Sequence, residues 1–391
     1  MGRCSPRSLT SRYRPPRSPL LGALDHPRRV FEHITPNWFA SVMGTGIVAV
    51  AAATLPVHVA GLRAFAVIVW AVAALGLVSL SGAFAVHWTC HRGNAKAYAT
   101  HPVMSQFYGA AAMAALTVGA GTLTVGSGVL GSTVAVRIDV VLWIAGTVGG
   151  LLTSVKLPFD MITSHDKEAT AALPAWLMPV VPPMVSASTG ALLMPHVGAG
   201  QFGRTFFVAC YAMFGLSLLV GMITITMVYS RLVHAGLPAT QAVPTMWITL
   251  GMVGQSITAA NTLGAKAGGA FGDQPSLVSG LHTFGLVYGW VMAGFAAFIF
   301  SLATALTVHA LRRSLTFSLT WWSFTFPVGT CVTGAGALGI ASNMEAFSWL
   351  AAGLFVVLVV AWGTVAVHTV AGSWSGRLFL PAAEQTANLR R

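Results

Sequence analysis

The sequence predicts an all-α integral membrane protein, with ten transmembrane helices arranged as five repeated helical hairpins around a central pore. Three observations carry that prediction. The 391 residues are 55% apolar and 8% charged, at a mean hydropathy of +0.75, whereas soluble domains carry about 25% charged residues. Apolar stretches lie near 37–58, 61–86, 101–124, 134–157, 173–194, 203–230, 242–264, 279–310, 316–340 and 346–371. Each is long enough to cross about 30 Å of hydrocarbon at roughly 1.5 Å per residue. Alternate stretches open on Pro or Trp and carry Gly or Pro interruptions, repeating at a nearly constant interval. A β-barrel is excluded, because its strands are short and alternate in polarity.

The first stretch opens at Pro36-Asn37-Trp38 and the third at His101-Pro102. Pro174-Ala175-Trp176, Pro244-Thr245-Met246-Trp247 and Trp321-Trp322 open the fifth, seventh and ninth. In three of these a helix breaker follows the Trp at the same offset: Gly44 after Trp38, Pro182 after Trp176, Pro327 after Trp321. Broken helices are tolerated at membrane depth only where they face protein or a water-filled cavity. The interrupted stretches are therefore expected inside, and the uniformly apolar ones, such as Phe206 to Val228, outside against lipid. Gly44, Gly46, Pro182, Pro183, Gly251, Gly254 and Pro327 are the helix breaks expected to line the pore. Any single glycine among them also suits close helix packing.

Residues 1–30 are rich in Arg, Ser and Pro and are expected as a disordered basic cytosolic tail. Arg-rich, acid-poor leaders also resemble transit peptides. Residues 31–375 form one transmembrane pore domain, and 376–391 a short cytosolic tail. Lys and Arg crowd one side of the alternating loops and leave only Arg63, Arg137, Arg204 and Lys266 on the other. That asymmetry puts both termini in the cytoplasm. It also explains the net charge of +12 as a topology signal, so no nucleic-acid partner is expected.

Within the interrupted stretches, the segments 37–57, 102–124, 173–194, 242–264 and 316–340 contain no Asp, Glu, Lys, Arg or His. They offer hydroxyls and amides such as Ser105, Gln106, Ser186, Ser188, Gln255, Ser256 and Asn261, together with N–H groups freed at the breaks. Donors of this kind suit an anion, and the missing carboxylates remove the ring a cation pore would use. Lys156, Arg204 and Lys266 are candidate anion-attracting mouths by field focusing; end-anchoring of helices is the plainer role. No enzyme, metal or cofactor is expected. His87, Cys90 and His91 lack a fourth ligand, Gly268–Gly272 is not followed by a P-loop lysine, and the four cysteines form no framework. A non-conducting membrane receptor is the rival reading from another class.

The segment Pro36-Asn37-Trp38-Phe39-Ala40-Ser41-Val42-Met43-Gly44-Thr45-Gly46 resembles the opening of the tellurite-resistance/C4-dicarboxylate transporter family. That family includes malic acid transport proteins, fungal sulfite efflux pumps and plant slow anion channels. Ala175–Pro183 and Trp321–Pro327 are similar to its fifth and ninth spans. The resemblance implies quasi-fivefold symmetry, a homotrimer with one pore per subunit in the plasma (inner) membrane, and a phenylalanine plug on the ninth helix. By motif that residue is Phe326. Malate-like C4-dicarboxylates are the first implied substrate; sulfite, tellurium oxyanions, chloride and nitrate are the alternatives.

Overall fold

The computed structural model describes residues 20–163, 172–198, 200–313 and 315–381, which are helical with no strand among them. The chain runs α1 (Phe39–Thr54), α2 (Leu62–Cys90), α3 (Arg92–Thr100), α4 (Tyr108–Gly121), α5 (Ser127–Leu130) and α6 (Ser132–Thr163). It continues through α7 (Pro182–Val197), α8 (Gln201–Ala235), α9 (Trp247–Phe271), α10 (Pro275–Leu311), α11 (Thr325–Ser342) and α12 (Glu345–Trp374). Eight helical segments are long and apolar enough to cross a membrane, namely those holding α1, α2, α4, α6, α8, α10, α11 and α12. The other two expected spans fall short by that measure. α7 has 16 residues, and α9 carries Gln255, Ser256, Asn261 and Lys266. The basic residues of 1–19, Lys167, Arg390 and Arg391 lie outside the described residues.

Burial separates two layers. The apolar window of the α1 segment is 83% buried and that of the α11 segment 78%, against 22% for α2 and 17% for α12. α1 packs on α4, α4 on α7, α7 on α9, α9 on α11, and α11 back on α1, which closes a ring. α2, α6, α8, α10 and α12 lie against this ring. They carry exposed apolar side chains such as Leu75, Leu219, Val291 and Val360, a surface that lipid covers.

The repeated Pro/Trp motif has a different meaning from the one its sequence suggested. α1 runs unbroken through Gly44. The irregularity comes earlier, as 3₁₀ turns at Pro36–Trp38, Met104–Phe107, Pro174–Leu177, Thr240–Met246 and Leu319–Phe324, one ahead of each ring helix. Pro182 and Pro183 are the first two residues of α7, and Pro327 lies in the first turn of α11. Proline is tolerated there because the first-turn N–H groups have no intrahelical acceptor. The motif therefore marks where ring helices begin. One irregularity had no sequence signal: a π-helical segment at Thr122–Gly126, after α4.

Indole N–H groups tie the layers together, as burial away from water requires. Trp143 Nε1 donates to Ser186 O (2.9 Å), Trp247 Nε1 to Thr307 Oγ1 (2.9 Å) and Trp362 Nε1 to Thr45 Oγ1 (3.1 Å). Residues 20–30, assigned by composition to the basic tail, are held against the end of α12. Leu21 N donates to Trp374 O (2.7 Å) and Ala23 N to Ser375 O (2.9 Å).

Ring contacts are close enough to exclude side chains. A Cβ at Gly109 would collide with the Met178 carbonyl, which is backbone and cannot step aside. Gly109→Ala is expected to cost about 1–3 kcal/mol and lower the melting temperature of the detergent-solubilised protein. Gly294→Ala, where an added Cβ meets nothing within 4 Å, serves as the control. Equal melting temperatures would show that the ring tolerates wider spacing.

Candidate functional site

All five ring helices contribute to one cavity of about 400 Å³. Its walls run from the middle of these helices toward their carboxy-terminal ends, including Ile47, Thr117, Ser188, Gln255 and Thr333, and Phe326 faces it as well. Phe326 also faces a void of about 10 Å³ on its other side, lined by Met43, Met113, Met178, Gly251 and Pro327. A void of that size holds a single water at most. The Phe326 ring, 3% exposed, thus separates an open cavity from an apolar pinch made by the amino-terminal halves of the same helices.

The expected donors are mostly engaged. Thr117 Oγ1 donates to Met113 O (2.9 Å), Ser188 Oγ to Val185 O (3.0 Å) and Thr189 Oγ1 to Val185 O (2.8 Å). Thr258 and Thr333 pair through their hydroxyls at 2.8 Å, and Gln255 Nε2 donates to Ser188 Oγ. Hydroxyls in helices commonly bond back to their own turn in this way. At the starts of four ring helices the N–H groups of Phe39, Tyr108, Trp247 and Thr325 bond back into the 3₁₀ turns that precede them.

The sequence-selected glycines and prolines separate into two groups. Gly251 and Pro327 line the apolar pinch. Gly44 packs against Thr325 and Trp322, Gly46 against Thr117, and Gly254 against Thr330 and the Cys331 backbone. Pro182 packs against Gly150, and Pro183 follows it in the first turn of α7. These five serve helix starts and helix packing beside the cavity.

Of the three basic candidates, only Lys266 lines the cavity. Lys156 pairs with Asp160 at 2.7 Å on the surface. Arg204 clasps both carboxylate oxygens of Asp273 at 2.7 Å and lies over the Phe271 ring. That hydrogen-bonded guanidinium holds the Asp273 carboxyl below its usual range. The Arg204–Asp273 clasp is therefore complete above the ordinary carboxylate value and loosens as pH falls through the lowered one. Sequence reasoning did not anticipate His282 on α10, which lines both this cavity and an adjoining open one of about 520 Å³. Close approach at Gly264, where an added Cβ would sit 3.2 Å from the His282 Cα, brings it there. A lone histidine in an outer apolar stretch gave no signal of this.

Such a site can admit a small solute from one side and stop it at an aromatic ring. Three relatives share this architecture's length. The chain is 25% identical over 362 residues to an uncharacterized transporter of Methanocaldococcus jannaschii, spanning 92% of this chain and 99% of the relative. It is 25% identical over 348 residues to a sulfite efflux pump of Arthroderma otae and 26% identical over 348 to one of Trichophyton rubrum. Each of these matches spans 88% of this chain and 92% of the pump. Residues 33–370 match the family described as voltage-dependent anion channel (SLAC1), and the chain belongs to that family of membrane anion channels and transporters.

Proposed function

We propose that this protein passes small anions along the axis of the ring formed by α1, α4, α7, α9 and α11, with Phe326 as the movable plug. The observation that carries this reading is the place of Phe326, at once the floor of the open cavity and the roof of the apolar pinch. An aromatic in an apolar constriction gates by excluding water. In this reading ten helices cross the plasma (inner) membrane as five hairpins with quasi-fivefold symmetry, and both termini are cytoplasmic. α7 and α9 complete the count, since a helix shielded from lipid by its neighbours need not be apolar all round. Three copies would assemble with a pore in each.

The anion this reading favours is a small single-centre oxyanion such as sulfite, ahead of the C4-dicarboxylates first implied by resemblance. A dicarboxylate presents two separated charges, and the cavity has one lysine at its rim. Sulfite efflux pumps among the relatives support the same choice. No enzymatic step is part of this reading.

Phe326→Ala in liposomes should raise anion flux without changing the sign of selectivity. Each tenfold rise corresponds to about 1.4 kcal/mol of barrier removed; unchanged flux would reject the plug. Lys266→Gln should lower flux by up to about tenfold at low ionic strength. The deficit should shrink at about 1 M salt, where charges are screened beyond roughly 3 Å, and Lys266→Arg should restore wild-type flux. Flux that is indifferent to Lys266→Gln at low salt would remove Lys266 from the conduction path.

A further inference from the structure

Asp139 stands apart from every other charged side chain of the described residues. It sits in α6, is 1% exposed, and neither carboxylate oxygen has a hydrogen-bond partner. It leans on the backbone of α4 at Gly119, where an added Cβ would fall 2.5 Å from Oδ1. Only a glycine leaves room for the carboxyl. On the other side of that stretch of α4, Thr117 and Ala120 line the cavity. Three residues past Gly119 the helix changes to the π-helical segment Thr122–Gly126, a kind of irregularity that is often found at functional sites.

No neighbouring group supplies a compensating charge. Of the elements packed closely on α6, α5 and the π-helical segment have no titratable side chain. α4 has only Tyr108 at its far end, and α7 only His196 near its end. On α6 itself Arg137 is exposed, while Lys156 and Asp160 pair with each other far along the helix. An ionised carboxylate without donors in such a place is strongly disfavoured. The packing shown is therefore that of the neutral acid. Losing the proton would force the side chain to seek donors or water, and the wall it presses on is the cavity wall.

We propose that Asp139 is a proton-binding site whose occupancy sets the position of α4 and so links anion movement through the cavity to pH. The proton-binding part stands on the burial alone; the link rests on the anion-conduction reading above. Two measurements test them separately. Infrared difference spectra of the purified protein should show the carbonyl stretch of a protonated buried carboxyl that disappears in Asp139→Asn. Gly119→Ala, which crowds the carboxyl but keeps it, should shift that band. Chloride flux into liposomes, with an ion that does not itself titrate, should vary with pH for the wild type and be flat for Asp139→Asn. A spectrum that Asp139→Asn leaves unchanged at every pH would overturn the proton site. A wild-type pH profile retained by Asp139→Asn would overturn the link. Vesicles that pass no anion at all would reject conduction and the link together, while the infrared result would still decide the proton site.

Discussion

Close approach of the five ring helices is the constraint on which the rest of the structure depends. Between helices in lipid there is little hydrophobic drive, so association relies on van der Waals packing at small residues. Gly109 against Met178, Gly46 against Thr117 and Gly254 against the Cys331 backbone set that spacing. The spacing in turn sets the bore. With helices this close, Phe326, Met43, Met113 and Met178 leave a void of only about 10 Å³ between them; a wider ring would leave a gap around the phenyl group.

The same packing decides what an ion would meet on its way. Hydroxyls that bond back to their own helices present few strong donors to the cavity, and Lys156 and Arg204 are neutralised by Asp160 and Asp273. A wall of this kind favours negative charge weakly and over a distance, which suits a route that must release what it admits. The five ring helices start at the same end, near the apolar pinch, so their dipoles add there with the positive pole toward that mouth. Lys266 lines the cavity on the opposite side. In the proposed reading both ends are mildly attractive to an anion, and the barrier lies between them at Phe326.

Much of this was legible in the sequence, and the misses have physical causes. The recurrence of Pro36, Pro174 and Trp321 at helix openings identified the five ring segments, because each repeat must solve the same problem of starting a helix at the membrane edge. Composition could not show whether the solution was a break or a beginning. Gly44, read as a break, is a packing contact, since glycine serves both ends equally well. The pairing of Lys156 and Arg204, candidate mouths whose plainer role was end-anchoring, was not legible because Asp160 and Asp273 reach them through folded geometry: a helical turn in one case and a loop in the other. Asp139 was visible as a lone acid in an apolar stretch. It belongs to an outer helix, and only packing reveals that it faces inward onto α4.

The two spaces flanking Phe326 also constrain how such a plug can move. The void on the pinch side, about 10 Å³, cannot receive a phenyl ring, whereas the cavity of about 400 Å³ on the other side can. Helical backbone confines χ1 to two common wells, so a displaced ring has one free direction, into the cavity. With the ring moved that way, the remaining obstruction is the methionine-lined pinch beside Gly251 and Pro327. Methionine has three rotatable bonds and adapts readily to a changed outline, so the pinch can widen without separating the helices. In the proposed reading, opening then needs side-chain movement alone, and the close helix packing that makes the seal can persist while ions pass.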